Sequence, residues 1–182
     1  MIPEAVILNP RAGGGTSLRS WSEVLEDPWS RSCRLADLPR HEGDPAGIAA
    51  WMREQLARGR SRFVACGGDG TLNLVINAAL SSPELREGAR IGALALGSSN
   101  DFHKPFDAPS RGRVAGRAAR VAFGEARPHD VGRAVFDEGS RAFAIGASVG
   151  VTAEANDLFN RGPGPVKMLK RRWVDGAILA SA

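Results

Sequence analysis

The chain has 182 residues, of which 43% are hydrophobic and 24% are charged, so it can bury a core and lacks the composition of a disordered protein. Its uncharged runs are shorter than the ~18 apolar residues that a membrane helix needs, and its first residues lack a secretory signal pattern, so we expect a cytoplasmic protein. The net charge of +4 comes from residues 101–182, which hold 13 basic and 9 acidic residues, whereas residues 1–100 hold 11 of each.

The basic excess does not by itself predict binding of nucleic acid. The 4 tryptophans are scattered and no tyrosine accompanies them, so the aromatic and basic ladder of a DNA- or RNA-binding surface is missing. Cys33 and Cys66 lack the spacing of a zinc ribbon, and the 3 histidines lack metal-ligand spacing. We therefore expect no nucleic-acid partner, and we expect both cysteines to be small buried apolar residues.

The first predicted unit is a strand, a glycine loop and a helix. Residues 4–8 form a β-branched apolar run that ends at Asn9-Pro10 and leads into three successive glycines. Thr16 or Ser17 can cap the following helix, which ends at Asp27-Pro28. Helical spacing predicts that the buried face of this helix carries Leu18, Trp21, Val24 and Leu25.

Two more units of the same kind follow. Asp44-Pro45 predicts the start of a helix that ends at Gly59, with a buried face of Ile48, Trp51, Met52, Gln55 and Leu56. A strand at 62–66 leads through Gly67-Gly-Asp-Gly-Thr71 into a helix that Ser81-Ser-Pro83 closes, and a strand at 91–96 leads into Gly97-Ser-Ser-Asn-Asp101. Apolar strands that alternate with amphipathic helices predict an α/β fold, in which helices flank a parallel sheet and ligands bind beyond the carboxyl ends of the strands.

The pattern changes after about residue 127. Residues 129–136 and 141–149 read as two antiparallel strands joined by a hairpin at 137–140. The sequence therefore predicts a nucleotide-binding α/β domain over 1–127, followed over 128–182 by an incomplete antiparallel β unit with helices at 154–159 and 166–180. Because such a unit leaves strand edges and apolar surface exposed, we expect self-association, with a homo-oligomer as one outcome.

The motif with the most specific chemistry is Gly67-Gly68-Asp69-Gly70-Thr71, between a strand and a helix. Glycines let backbone N–H groups approach a phosphate closely, and the positive end of the helix dipole points at the same anion. A carboxylate beside phosphates is repulsive unless a divalent cation lies between them or it orients a reacting hydroxyl. The alternative is a tight turn in which Asp69 is only a turn-forming residue. No Walker lysine and no Gly-x-Gly-x-x-Gly fingerprint occurs.

Three consecutive motifs resemble those of the diacylglycerol kinase catalytic domain family. They are Asn9-Pro10-x-x-Gly13-Gly14, then Gly67-Gly-Asp-Gly-Thr-Leu-Asn73 with Asn77, then Leu96-Gly97-Ser-Ser-Asn100-Asp101-Phe102. The resemblance implies an ATP- and Mg²⁺-dependent kinase that phosphorylates a lipid hydroxyl at a membrane surface. Asp69 would be the catalytic residue and act with Mg²⁺. The ATP site would comprise Asn9, Gly67, Gly68, Gly70, Thr71, Gly97, Ser98, Asn100 and Asp101.

The sequence also departs from that family. Leu74 stands where the family usually has Glu, and Ile145 stands where Asn is common. No acid of residues 151–182 sits in the motif that would activate the acceptor hydroxyl. Two alternatives therefore stay open, namely a non-catalytic or fragmentary nucleotide-binding module and a kinase for a soluble acceptor such as NAD. Arg113, Arg117 and Arg120 would share one face if 111–122 were helical, and 167–172 is a second basic cluster. These clusters could contact anionic lipid or ATP, and the alternative is that each is a solvated helix face.

Overall fold

A computed structural model of the chain describes residues 5–33, 45–104, 112–148 and 153–154. The chain divides into two compact units, Met1–Ile145 and Gly146–Ala182. All the strands and helices given below belong to the first unit. Asp44, the predicted helix at 166–180 and almost all of the predicted helix at 154–159 lie outside the described residues. The boundary predicted near residue 127, between a nucleotide-binding domain and a β unit, stays a prediction.

Strands and helices alternate through the first part of this unit. Their order is β1 (Ala5–Leu8), α1 (Ser17–Glu26), α2 (Pro28–Ser32), α3 (Pro45–Ala57), β2 (Arg62–Gly67), α4 (Asp69–Ala79), α5 (Pro83–Gly88) and β3 (Arg90–Ala95). Two hairpins follow, β4 (Gly112–Val114) with β5 (Arg117–Arg120), and β6 (Gly132–Phe136) with β7 (Gly139–Phe143).

The main sheet has the strand order β1-β2-β3-β5-β4, with β1, β2 and β3 parallel and the β4–β5 hairpin antiparallel at one edge. Successive side chains of a strand point to opposite faces, so both faces of the sheet are buried. Ile7 and Phe63 pack with α3, α4 and α5, whereas Leu8 and Val64 pack with Trp21 and Val24 of α1. The predicted parallel sheet flanked by helices is therefore confirmed.

Helix α1 buries a different stripe from the one predicted. Trp21 and Val24 are buried as expected, but Leu18 is 55% exposed and Leu25 is 44% exposed. The face against the sheet instead carries Ser17, Ser20, Trp21 and Val24, which follow the i, i+3, i+4, i+7 spacing. Ser17 can be buried because its hydroxyl donates a 2.8 Å hydrogen bond to the Asn9 carbonyl oxygen. The polar neighbour therefore displaces Leu18 from the buried face.

The segment that carries Arg113, Arg117 and Arg120 is a hairpin and not a helix, so the prediction of a helical arginine face is wrong. Ala115 and Gly116 form its two-residue turn with φ of 49° and 72°. The hairpin is favoured because β5 pairs with the edge of β3. The pairing also lets the hairpin bury Val114 of β4 and Ala119 of β5 against the sheet. The amide of Ala115 also donates a 2.7 Å hydrogen bond to Asp27 Oδ2.

The hairpin predicted after residue 128 is present as the two-stranded sheet of β6 and β7. It contacts α4 through Asn77, whose side-chain amide pairs with the backbone of Ala142. Asn77 Nδ2 donates to the Ala142 carbonyl oxygen at 2.9 Å, and the Ala142 amide donates to Asn77 Oδ1 at 2.9 Å. One asparagine side chain thus extends the backbone hydrogen bonding of β7 onto the helix.

Candidate functional site

The three glycine-containing loops meet at the carboxyl edge of the parallel strands. The strand register places Leu8 beside Cys66 and Gly67 beside Ala95, so the residues that follow β1, β2 and β3 are neighbours. Backbone hydrogen bonds extend this alignment into the loops, from the Asn9 amide to the Cys66 carbonyl at 3.0 Å and from the Leu96 amide to the Gly67 carbonyl at 2.8 Å. The topology therefore brings the three predicted site segments together.

The second and third loops touch each other directly through two glycines. A Cβ on Gly68 would lie 3.1 Å from the Cα of Gly97, and a Cβ on Gly97 would overlap the Cα of Gly68. A side chain at position 97 would therefore displace one of the loops, whereas one at position 68 would need a smaller shift. This close contact of the two backbones sets the spacing of the second and third loops.

Thr71 joins the first loop to the second. Its side chain is 5% exposed, and its hydroxyl oxygen accepts a 2.9 Å hydrogen bond from Asn9 Nδ2. A Cβ on Gly67 would overlap the Thr71 hydroxyl, so glycine at 67 leaves room for that buried threonine. Asn9 Oδ1 also accepts from the Arg11 amide at 2.9 Å, so both ends of the Asn9 side chain hold loop structure.

The N-terminus of α4 opens into the space between these loops. Gly68 precedes the helix and has no side chain to cap it. The Thr71 amide donates to the Gly68 carbonyl oxygen at 3.0 Å, so the amides of Asp69 and Gly70 are the first-turn donors that point out of the helix. Gly70 is exposed, and nothing lies within 4 Å of the position that its Cβ would take. The helix end thus offers N–H donors, a positive dipole end and open space, which is the arrangement that binds phosphate.

Asp69 is tied to the third loop by both carboxylate oxygens. Oδ2 accepts a 2.9 Å hydrogen bond from the amide of Asp101, and Oδ1 accepts a 3.1 Å hydrogen bond from the amide of Phe102. These amides begin the short 3₁₀ turn Asp101–His103. The carboxylate therefore caps that turn from a distance of 32 residues in sequence, and it holds the third loop beside the α4 N-terminus.

Asn100 closes the third loop upon itself. Its backbone is left-handed, with φ of 52° and ψ of 45°, a conformation that asparagine tolerates better than most residues. Its Oδ1 accepts from the Gly97 amide at 2.9 Å, and its Nδ2 donates to the Gly97 carbonyl at 2.7 Å. Ser98, by contrast, is exposed at the tip of the loop. The predicted residues of this loop thus divide into a loop-closing asparagine and an exposed serine.

Two titratable residues for which the sequence predicted no role, His103 and Lys104, border the site. Lys104 Nζ lies 2.6 Å from Asp101 Oδ1, and the hydrogen bond to that carboxylate raises the pKa of Lys104. Burial lowers the pKa of His103, and the nearby Arg120 adds to this effect, while Asp69 opposes it. The three-residue spacing of Asp101 and Lys104 was the one feature of the sequence that could have indicated their ion pair. The Arg120 guanidinium, which lies 4.4 Å from the centroid of the Phe102 ring, comes from a distant strand.

The described residues contain no group of three or more His, Cys, Asp or Glu side chains that could hold a metal ion by themselves. Asp69 places one carboxylate in the first turn of α4, whereas the Asp101 carboxylate is paired with Lys104. Mg²⁺ is commonly bound by one or two carboxylates together with substrate phosphates, so this carboxylate fits a cation that arrives with a nucleotide.

No helix in the described part of the chain has the length and apolar character to cross a membrane.

Comparison with known proteins agrees with this geometry. The model of the diacylglycerol kinase catalytic domain matches residues 3–134, which includes all three loops. A protein named diacylglycerol kinase from Bacillus subtilis is 29% identical over 129 residues, which cover 70% of this chain and 40% of the relative. A probable lipid kinase YegS-like protein from Shewanella frigidimarina is 36% identical over 59 residues, which cover 32% of this chain and 19% of the relative.

The chain therefore spans less than half the length of either relative. The region that the family model matches contains the main sheet, the three glycine loops and the helix that carries Asp69, and it includes all the residues that the sequence predicted for the site. Because the family model covers well over half of the 182 residues, the chain belongs to the diacylglycerol kinase catalytic domain family.

Proposed function

We propose that this chain is the nucleotide-binding part of an ATP- and Mg²⁺-dependent lipid kinase, in which the γ-phosphate of ATP passes to a lipid hydroxyl at a membrane surface. The observation that carries the proposal is the α4 N-terminus, which opens beside Gly70 at the junction of three loops. The names of both relatives favour a lipid acceptor. The chain covers only part of those relatives, so the acceptor is assigned here by similarity.

In this proposal the glycines and Thr71 form the phosphate site. The amides at the start of α4 donate to phosphate oxygens, and Gly70 lets the phosphate approach the backbone. Thr71 holds the turn through Asn9, and Gly67 and Gly68 make the turn and its contact with the third loop possible. Gly97, Ser98, Asn100 and Asp101 line the nucleotide cleft, where Asn100 acts by keeping the third loop closed.

Asp69 has two tasks in the proposed reaction. It positions the third loop through the amides of Asp101 and Phe102, and its carboxylate would hold Mg²⁺ near the γ-phosphate. When bound, the cation neutralises negative charge that develops during phosphoryl transfer. The chain's contribution is then mainly positioning, because phosphoryl transfer needs little covalent chemistry from the protein.

A panel of acceptors tests the assignment. The chain is incubated with labelled Mg·ATP and with diacylglycerol in mixed micelles, with NAD in solution, or with neither acceptor. Transfer to the micellar lipid that Asp69→Asn abolishes supports the proposal, since this variant keeps the size of the side chain and removes its charge. Transfer to NAD would favour the soluble-acceptor alternative, and binding of Mg·ATP without transfer to any acceptor would favour the non-catalytic module.

A further inference from the structure

A cavity lies on the same face of the sheet as α4, outside the phosphate site. It is open to solvent on one side, has a volume of about 580 Å³ and lies between α4, α5, β3 and residues 126–131. This volume falls within the ~300–1,000 Å³ that small-molecule sites occupy. Its walls are mainly apolar, and the side chains that form them include Leu72, Ile76, Leu80, Ile91, Phe102 and Val131.

The cavity extends along α4. Leu72 and Leu80 both line it, and eight residues of helix at ~1.5 Å each separate them by about 12 Å. Phe102 marks the end nearest the phosphate site, because its amide donates to Asp69. Arg86 and Arg90 mark the opposite end, where the Arg86 guanidinium donates a 3.3 Å hydrogen bond to the Leu80 carbonyl oxygen.

The charged side chains of the lining are mainly basic. Arg86, Arg90 and Arg127 all line the cavity and are exposed, and the acidic residue among the lining side chains is Glu87. Within the described residues none of these three arginines forms an ion pair. Guanidinium groups bind carboxylates and phosphates through paired hydrogen bonds, so this lining is suited to an anionic group.

We propose that this cavity binds a single-chain anionic amphiphile. The acyl chain occupies the apolar interior along α4, and the carboxylate or phosphate lies against Arg86, Arg90 and Arg127. Such a ligand places its charged end away from Asp69, so the site is separate from that of an acceptor hydroxyl. The proposal does not depend on the kinase activity, because it rests on the shape and charge of the cavity alone.

Calorimetric titration of dodecanoate below its micelle concentration tests the proposal, with dodecanol as the uncharged probe. We expect saturable binding of one dodecanoate per chain and weaker binding of dodecanol. Ala126→Trp fills the cavity from its exposed wall and should lower dodecanoate affinity at least about tenfold. Arg127→Glu should remove the preference for dodecanoate over dodecanol, whereas Arg19→Glu, on the exposed side of α1, should leave it intact.

Unchanged dodecanoate affinity in Ala126→Trp, or equal affinity for the two probes in the unsubstituted chain, would overturn the proposal. Mg·ATP affinity should be the same in Ala126→Trp and in the unsubstituted chain, so a failure here is distinguishable from a failure of the proposed function. Sedimentation with phosphatidylcholine vesicles that contain lysophosphatidate, a single-chain anionic lipid, then distinguishes the two sources of the ligand. Vesicle binding that dodecanoate competes away indicates a membrane source, and dodecanoate binding without vesicle binding indicates a free fatty acid.

Discussion

Asn77 and Ala142 are joined like paired residues of two β-strands, although one partner is a side chain on a helix. The carboxamide of Asn77 both donates to and accepts from the backbone of Ala142, and its Nδ2 also donates to the Asn73 carbonyl oxygen at 2.8 Å. An amide side chain is the group that can reproduce both halves of this pairing. This pairing gives Asn77, the second asparagine of the α4 motif, a structural role that does not require contact with a nucleotide.

Replacing Asn77 should therefore loosen the β6–β7 hairpin. Asn77→Ala removes both hydrogen bonds to Ala142, and we expect it to lower the free energy of unfolding by about 1–3 kcal/mol. Asn77→Asp keeps the acceptor and loses the donor, so it should also destabilise the chain. Urea unfolding gives the free energy, and hydrogen exchange at the Ala142 amide reports the hairpin. Unchanged protection of that amide in Asn77→Ala would show that the pair does not hold the hairpin.

The contact between Gly68 and Gly97 predicts different results for two glycine-to-alanine changes. Gly97→Ala places a methyl group against the Gly68 backbone and should cost about 1–3 kcal/mol of unfolding free energy. Gly70→Ala meets no atom within 4 Å and lies in a helix, so it should leave stability unchanged or raise it by up to ~1 kcal/mol. Thermal unfolding compares the two variants. Equal stability of Gly97→Ala and the unsubstituted chain would contradict the close approach of the loops.

Asp69 should matter to the fold as well as to the reaction. Asp69→Ala leaves the amides of Asp101 and Phe102 without their acceptor, which should cost about 1–3 kcal/mol. Asp69→Asn keeps one acceptor oxygen and should lose less stability than Asp69→Ala. Chemical denaturation of both variants, with hydrogen exchange at Asp101 and Phe102, measures the difference. If both amides exchange at the same rate in Asp69→Ala as in the unsubstituted chain, the capping role is wrong.

His103 predicts a loss of stability in mild acid. Burial and Arg120 lower its pKa in the folded chain below 6.5, the ordinary value for histidine, with Asp69 acting in the opposite direction. As pH falls through 6.5, the unfolded chain binds a proton that the folded chain binds less readily, so the stability contributed by the neutral imidazole is lost. Melting temperatures at pH 8 and in mild acid should therefore differ less in His103→Gln than in the unsubstituted chain. The same difference in both would contradict this effect.

Sequence patterns predicted the parts of the fold that depend on local periodicity and on glycine. The three strand ends, the loops that follow them and the helix after Gly68 required no information from distant residues. The β4–β5 hairpin was missed because Ala115-Gly116 is a weak turn signal and because pairing with β3 decides the structure. Leu18 was misplaced because the Asn9 carbonyl, in another segment, accepts the Ser17 hydroxyl.

The candidate site shows the same division. The Gly-Gly-Asp-Gly-Thr motif identified the phosphate-binding segment, but it could not show that the Asp69 carboxylate caps a turn 32 residues away. Nor could it show that Arg120 lies over Phe102, since that contact depends on the order of strands in the sheet. Contacts between sequence-distant residues are the part that a single sequence leaves open.

Calorimetric titration of Mg·ATP into the unsubstituted chain and into Gly70→Ala is the direct test of a phosphate site at the N-terminus of α4. Gly124→Ala is the matched control, because its Cβ also meets nothing within 4 Å but lies outside the loop junction. We expect saturable binding to the unsubstituted chain and to Gly124→Ala, with affinity at least about tenfold lower in the stably folded Gly70→Ala. Equal affinity in all three, or no binding to the folded unsubstituted chain, would contradict a phosphate site at the N-terminus of α4.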